Sequence, residues 1–100
     1  GKKDDGVAQQ IGTLAPNRTY ILSGYVKMKS AQEVVFFVNQ DNKTLARVST
    51  KDIQFKENSN WKFISVKFET SDSGDDVIVN IEKLGKGIAY IDDVGVIPNP

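Results

Sequence analysis

From Ile21 to Lys29 every second residue is Ile, Ser, Tyr, Lys and Lys. In an extended chain successive side chains point to opposite sides, so Ser23, Tyr25, Lys27 and Lys29 share one face. That face offers a hydroxyl, an aromatic ring and two ammonium groups in a row, which is recognition chemistry. Catalytic chemistry has fewer candidates. The chain has no histidine and no cysteine. This removes the commonest general base, a thiol nucleophile, disulfides and His/Cys metal sites. Carboxylates such as Glu69 and Glu82 remain, and two-carboxylate hydrolysis needs no histidine. Nothing in their spacing sets two of them across a cleft, so the chain does not read as an enzyme. Asp92-Asp93 sits in a β-prone run, where aspartate is depleted and a desolvated carboxylate is costly. Two readings stand: one of the pair ligates a hard cation such as calcium or caps backbone amides, or one is exposed at a bulge while the other bonds to local N–H groups. Asp72, Asp75 and Asp76 read as turn formers.

The elements that must position these groups are strands. The Tyr20 run keeps Tyr20, Leu22, Gly24, Val26 and Met28 on its core face. Val7 to Ile11 reads as a short strand, and Pro16-Asn17 as a turn that leads into a strand from Thr19 to Lys29. Ser30 to Gln32 reads as a turn. Glu33 to Asn39 is apolar on both faces, as a central or covered strand would be. Gln40 to Lys43 is a tight turn, and Thr44 to Thr50 pairs back as a hairpin. Lys51 to Asn60 is polar, with Ile53 and Phe55 spaced by two, and reads as a short strand or a loop over the rim. Trp61 to Thr70, Val77 to Leu84 and Ile88 to Ile97 complete the strands. No stretch carries a sustained helical apolar period with caps. Short strands separated by turn residues predict an all-β sandwich of two antiparallel sheets.

One hundred residues and 39% hydrophobic content support one domain, residues 1–100, with a modest core. Lys plus Arg equals Asp plus Glu at 13 each, so the chain has no net field. That argues against nonspecific binding to nucleic acid or to anionic lipid. No apolar run approaches the ~20 residues of a membrane span.

Three segments, PNRTYILSGYVKM, NWKFISVKFET and GIAYIDDVGV, occur in that order. Together they resemble the jelly-roll carbohydrate-binding modules of families four, nine and twenty-two, over roughly Val7 to Ile97. The resemblance implies a jelly-roll sandwich with a concave face that holds a polysaccharide or oligosaccharide. It implies a secreted or cell-surface bacterial setting, as an accessory module within a larger multidomain chain beside a carbohydrate-active enzyme. It also implies a structural calcium between an N-terminal Glu and the closing Asp-Asp, hence Asp92 and Asp93. The usual opening strand, with its Asn-Gly-Gly-Phe-Glu type of sequence, is not in this chain.

A sugar ring stacks its CH face on an aromatic side chain while its hydroxyls need polar partners. The expected carbohydrate-binding residues are therefore Tyr25, Lys27, Phe37, Asn39, Asn80 and Glu82, grouped on one concave face, with Gln10 and Arg47 as further donors. Tyr25 has the alternative of packing under a loop, and Phe37 that of a small second core beneath Lys51–Asn60. Trp61 is expected to pack at the start of a core strand. Tyr20, Ile64, Val66, Phe68 and Tyr90 are expected in the core or at its edge. From another class, a structural or adhesive sandwich domain of a bacterial surface protein or toxin fits the same pattern.

Overall fold

The computed structural model describes residues 5–29, 33–53 and 60–99. The expected turn at Ser30 to Gln32 and the Ile53–Phe55 spacing lie wholly or partly outside them. Seven strands follow one another: β1 Asp5–Gly12, β2 Thr19–Met28, β3 Glu33–Gln40, β4 Lys43–Ser49, β5 Lys62–Glu69, β6 Val77–Leu84 and β7 Ala89–Pro98. A 3-10 turn, Thr50–Asp52, follows β4 and is capped by Ser49, whose Oγ accepts from Lys51 N. The first strand begins at Asp5, earlier than its apolar residues suggest.

Two antiparallel sheets form the sandwich that the alternation predicts. One has four strands in the order β1-β6-β3-β4, the other three in the order β5-β2-β7. The hydrophobic core lies between them. Leu22 and Val26 of β2 meet Val34, Phe36 and Val38 of β3 and Val77 of β6, all fully buried. Tyr20, Ile64 and Phe68 join them, with Val66 partly buried at the edge.

Gly24 lets the ring of Phe36 from the facing sheet lie directly on β2. A Cβ there would stand 2.9 Å from Phe36 Cε2 and 3.2 Å from Val94 Cγ2, so only a hydrogen fits beneath the ring. Opposite Gly24, β7 carries a bulge. Ser23 pairs with Gly95 and Tyr25 with Asp92, so Asp93 and Val94 share one place in the ladder. Asp93 takes a left-handed φ of 52° to make it.

The β3–β4 hairpin turns on Asp41 and Asn42, with φ of 56° and 60°. Two successive positive φ values define the turn whose twist matches that of the flanking strands, and Asp and Asn tolerate it. Buried Gln40 ties this turn to the loop before β6: its Nε2 donates to Asp75 O (2.8 Å) and its Oε1 accepts from Ser71 N (2.7 Å). At the same end of the sandwich, Thr70 Oγ1 donates to Ala15 O (2.6 Å) and accepts from Arg18 N (3.1 Å).

Candidate functional site

Each strand of the four-stranded sheet turns its alternate residues away from the core. On β3, Val34, Phe36 and Val38 point in, which leaves Val35, Phe37 and Asn39 pointing out. Register then builds the rows. Phe37 stands between Arg47 of β4 and Asn80 of β6. Val35 stands between Ser49 and Glu82, and Asn39 between Thr44 and Ile78. Gln10 of β1 is opposite Ile78 by register.

These rows enclose an open groove of about 240 Å³, lined by Val35, Phe37, Thr44, Arg47, Glu82 and Leu84. Its floor is apolar. Val35 is nearly fully buried yet lies outside the central core, because it belongs to this outer face. The rim is polar and partly prearranged. Glu33 ion-pairs with Arg47 and with Lys51 at 3.8 Å each, and it accepts the hydroxyl of Ser49. The Arg47 guanidinium, half exposed, is thus held near the groove with donors left over. Thr44 Oγ1 donates to Asn39 Oδ1 at 2.9 Å, which orients that amide. Asn80 Nδ2 reaches Ile78 O only at 3.5 Å, a loose tether. Glu82 makes no ion pair with another described residue and can accept two or more hydroxyl donors.

The groove runs toward the β3–β4 turn, where a second hollow of about 350 Å³ is lined by Asn39, Gln40, Asp41, Asn42, Asp75, Asp76 and Ile78. Asp41 accepts from Ser71 Oγ (2.6 Å) and Ser73 Oγ (2.9 Å). The Ser71 hydroxyl, then a hydrogen bond with Asp75 and the Ser73 hydroxyl, holds the Asp41 carboxyl below the usual carboxylate range. Asp75 goes the other way. Its hydrogen bond with Asp41 and the negative charge of Asp41 push it up.

The six expected carbohydrate-binding residues divide between two faces. Phe37, Asn39, Asn80 and Glu82 stand together around the groove. Tyr25 and Lys27 do not join them: β2 lies in the other sheet and turns these residues to the opposite outer face of the sandwich. The expected single group is therefore corrected to two. Alternation shows that a residue points out, but not from which sheet. The four-stranded site also includes Val35, Thr44 and Leu84, which carried no chemical signal of their own in the sequence.

Trp61 and Tyr90 are corrected as well. They are 42% and 45% exposed and lie with Tyr25 on the outer face of the three-stranded sheet. Asp92 and Asp93 follow the local reading. Asp93 sits at the bulge and its N–H donates to Asp92 Oδ1 at 2.9 Å. Among the described residues no third acidic side chain gathers with them. Calcium takes six to eight oxygens, so this exposed pair is a poor fit for that ion. No helix among the described residues is long and apolar enough to cross a membrane.

Similar architectures occur among solved structures. A structure described as "CBM4 structure and function" superposes with a TM-score of 0.69 at 23% identity, over 94% of this chain and 61% of that one. The Stig cyclase Fisc from Fischerella sp. TAU, solved with (3Z)-3-(1-methyl-2-pyrrolidinylidene)-3H-indole, gives 0.75 at 17% identity, over 97% of this chain and 57% of that one. A structure described as "Family 16 Carbohydrate Binding Module-2" gives 0.66 at 23%, over 97% and 72%. At these identities the likeness is one of fold, and the chain spans about three-fifths of the length of the first two. No curated protein matches the sequence. A family model described as a carbohydrate binding domain matches residues 1–86, most of the chain. With a jelly-roll-like sandwich and a half-apolar, half-polar groove on one sheet, the chain belongs to the carbohydrate binding domain family.

Proposed function

We propose that the chain holds a glycan, without chemical change, in the groove on the outer face of the four-stranded sheet. The observation that carries this reading is the pairing of an apolar floor with a partly prearranged polar rim. Phe37 and Leu84 offer surface for a pyranose CH face over buried Val35, and Arg47, Glu82, Thr44, Asn39 and Asn80 offer donors and acceptors for its hydroxyls. The groove is open along the sheet, which suits a polysaccharide or a long oligosaccharide. Glycoside hydrolysis would need a carboxyl pair flanking the bond. Glu82 is the one carboxylate lining the groove among the described residues, and Glu33 nearby is engaged by Arg47, Lys51 and Ser49.

In this reading the domain serves as an accessory module of a secreted carbohydrate-active enzyme, keeping it at its substrate. Family membership and the groove support the ligand class. The secreted, multidomain setting follows from the sequence resemblance. Affinity electrophoresis in gels containing soluble β-1,4-glucan, β-1,4-xylan or β-1,3-glucan tests the proposal. At least one polysaccharide should retard the native chain, and Phe37→Ala or Arg47→Ala should weaken the retardation about tenfold. Retardation unchanged by both substitutions removes the groove as the site. No retardation by any of the three favours the structural or adhesive reading.

A further inference from the structure

The outer face of the three-stranded sheet carries an arrangement that the groove does not use. Trp61, Phe63, Tyr25 and Tyr90 all stand on it, 39% to 56% exposed. Isolated exposed hydrophobics are ordinary, but four rings on one small sheet are not. Register explains their grouping. Tyr25 of β2 is opposite Phe63 of β5 on one side and Asp92 of β7 on the other. One row further along, Lys27 is opposite Tyr90, and Trp61 lies just before the start of β5 on the other flank.

The rings touch in pairs. Tyr25 and Phe63 meet edge to face with centroids 5.2 Å apart. Trp61 and Tyr90 lie 6.5 Å apart although β2 runs between their strands. Strands two places apart in a sheet are separated by about 9.5 Å, so these rings lean toward each other over Lys27. Lys27 is correspondingly part-buried. The two pairs are offset by about 7 Å along β2, two residues of strand. Polar groups are set between and beside them: Lys27 under one pair, Asp92 beside the other, and Ser23 opposite Ser65 in the next row.

We infer that this face is a second carbohydrate-binding platform, back to back with the groove. The buried centre of a protein–protein contact is depleted in Lys and Asp, whereas this face places both among its rings. A pyranose needs that mixture, with apolar CH faces for the rings and hydroxyls for an ammonium, a carboxylate and serines. A platform two ring pairs long, running along β2, suits two or three sugar units of a chain lying along the strands. The inference shares its ligand class with the proposed function but not its residues. One domain would then bridge two glycan chains, or two segments of one chain, from opposite faces.

Isothermal titration calorimetry with cellohexaose, xylohexaose and laminarihexaose tests it, with sedimentation velocity as a companion measurement. The native chain should bind one of these with two sites. Phe37→Ala combined with Arg47→Ala should leave one site, and adding Trp61→Ala and Tyr90→Ala should remove it. All four side chains are partly or largely solvent-exposed, so each variant should still melt cooperatively, with a native-like far-UV spectrum below its transition, which confirms that it folds. A single native site lost with the groove pair overturns the platform. Binding that survives the groove pair unchanged but vanishes with Trp61→Ala and Tyr90→Ala supports the platform and overturns the groove. No binding of any hexasaccharide overturns both. A native dimer that Trp61→Ala disperses overturns the platform in favour of a second copy of this chain on that face.

Discussion

Gly24 lies directly under the ring of Phe36, and the two sheets close on each other at that point. A Cβ at position 24 would meet Phe36 Cε2 at 2.9 Å and Cζ at 3.1 Å, and Val94 Cγ2 at 3.2 Å. The first two atoms belong to a fully buried ring that cannot swing away without disturbing Leu22, Val34 and Val38. Gly24→Ala should therefore destabilise the fold by about 1–3 kcal/mol through overpacking, despite the better strand propensity of alanine. Gly24→Val should cost more. Urea unfolding measures both, and an alanine variant as stable as the native chain would show that the sheets part easily at this point.

Adjacent phenylalanines on β3 should separate stability from binding. Phe36→Ala empties the centre of the core and should cost about 3–5 kcal/mol. Phe37→Ala removes a half-buried ring from the outer face and should cost less, about 1 kcal/mol, while losing most of the glycan affinity. Melting curves and affinity gels on the same two variants check the pair. Equal destabilisation by both would mean that Phe37 serves packing rather than the groove.

Gln40 is 2% exposed and satisfies two backbone groups of the loop before β6. Gln40→Leu keeps the volume but leaves Asp75 O and Ser71 N without that partner, at about 1–3 kcal/mol. Hydrogen exchange at Ser71 should accelerate in this variant well before global unfolding. Protection of that amide equal to the native value would refute the role given to Gln40.

The Asp41–Asp75 pair predicts an acid-side pH dependence. Asp41 is held low by the Ser71 hydroxyl, then by Asp75 and Ser73, so its ionised form is favoured in the fold. Its contribution is present above the usual carboxylate range and fades as pH falls through its lowered value. Asp75, raised by its hydrogen bond with Asp41 and by that residue's charge, works in the opposite sense. Its contribution is present at low pH and is lost as pH rises through the raised value. Asp75→Asn keeps a donor for Asp41 and deletes the repulsion. The variant should melt higher than the native chain near neutral pH, and the gap should close below the carboxylate range. Melting temperatures from about pH 3 to about pH 7 cover the window. A gap that is constant across it would rule out the pair as its source.

Much of the fold was legible in the strands taken one at a time. The alternation in Tyr20 to Met28 assigns Leu22, Gly24 and Val26 to the core, and Asn80 and Glu82 to the outside of their strand, as observed. The turn at Asp41-Asn42 is legible for the same reason, because short-range backbone preferences govern it, whereas Asp92-Asp93 keeps two readings until the β7 bulge is seen. Trp61 is expected to pack because it opens a core strand, yet it falls in register with the outward residues of β5, beside Phe63 and Tyr90, and stays exposed.

What no strand states by itself is which sheet it joins. Tyr25 and Phe37 both point away from the core, and nothing in their own segments distinguishes the two outsides of a sandwich. That choice is made by pairings distant in sequence, β2 with β5 and β7, β3 with β6. A side-chain period of two encodes in and out, a local property. Sheet membership comes from hydrogen bonds closed over tens of residues, where packing of the whole core decides the partner. The sequence by itself thus determined a sandwich with aromatic and polar residues on its outer surface. Only the tertiary structure decided that they form two faces, Phe37 with Arg47 and Glu82 on one, Tyr25 with Trp61 and Tyr90 on the other.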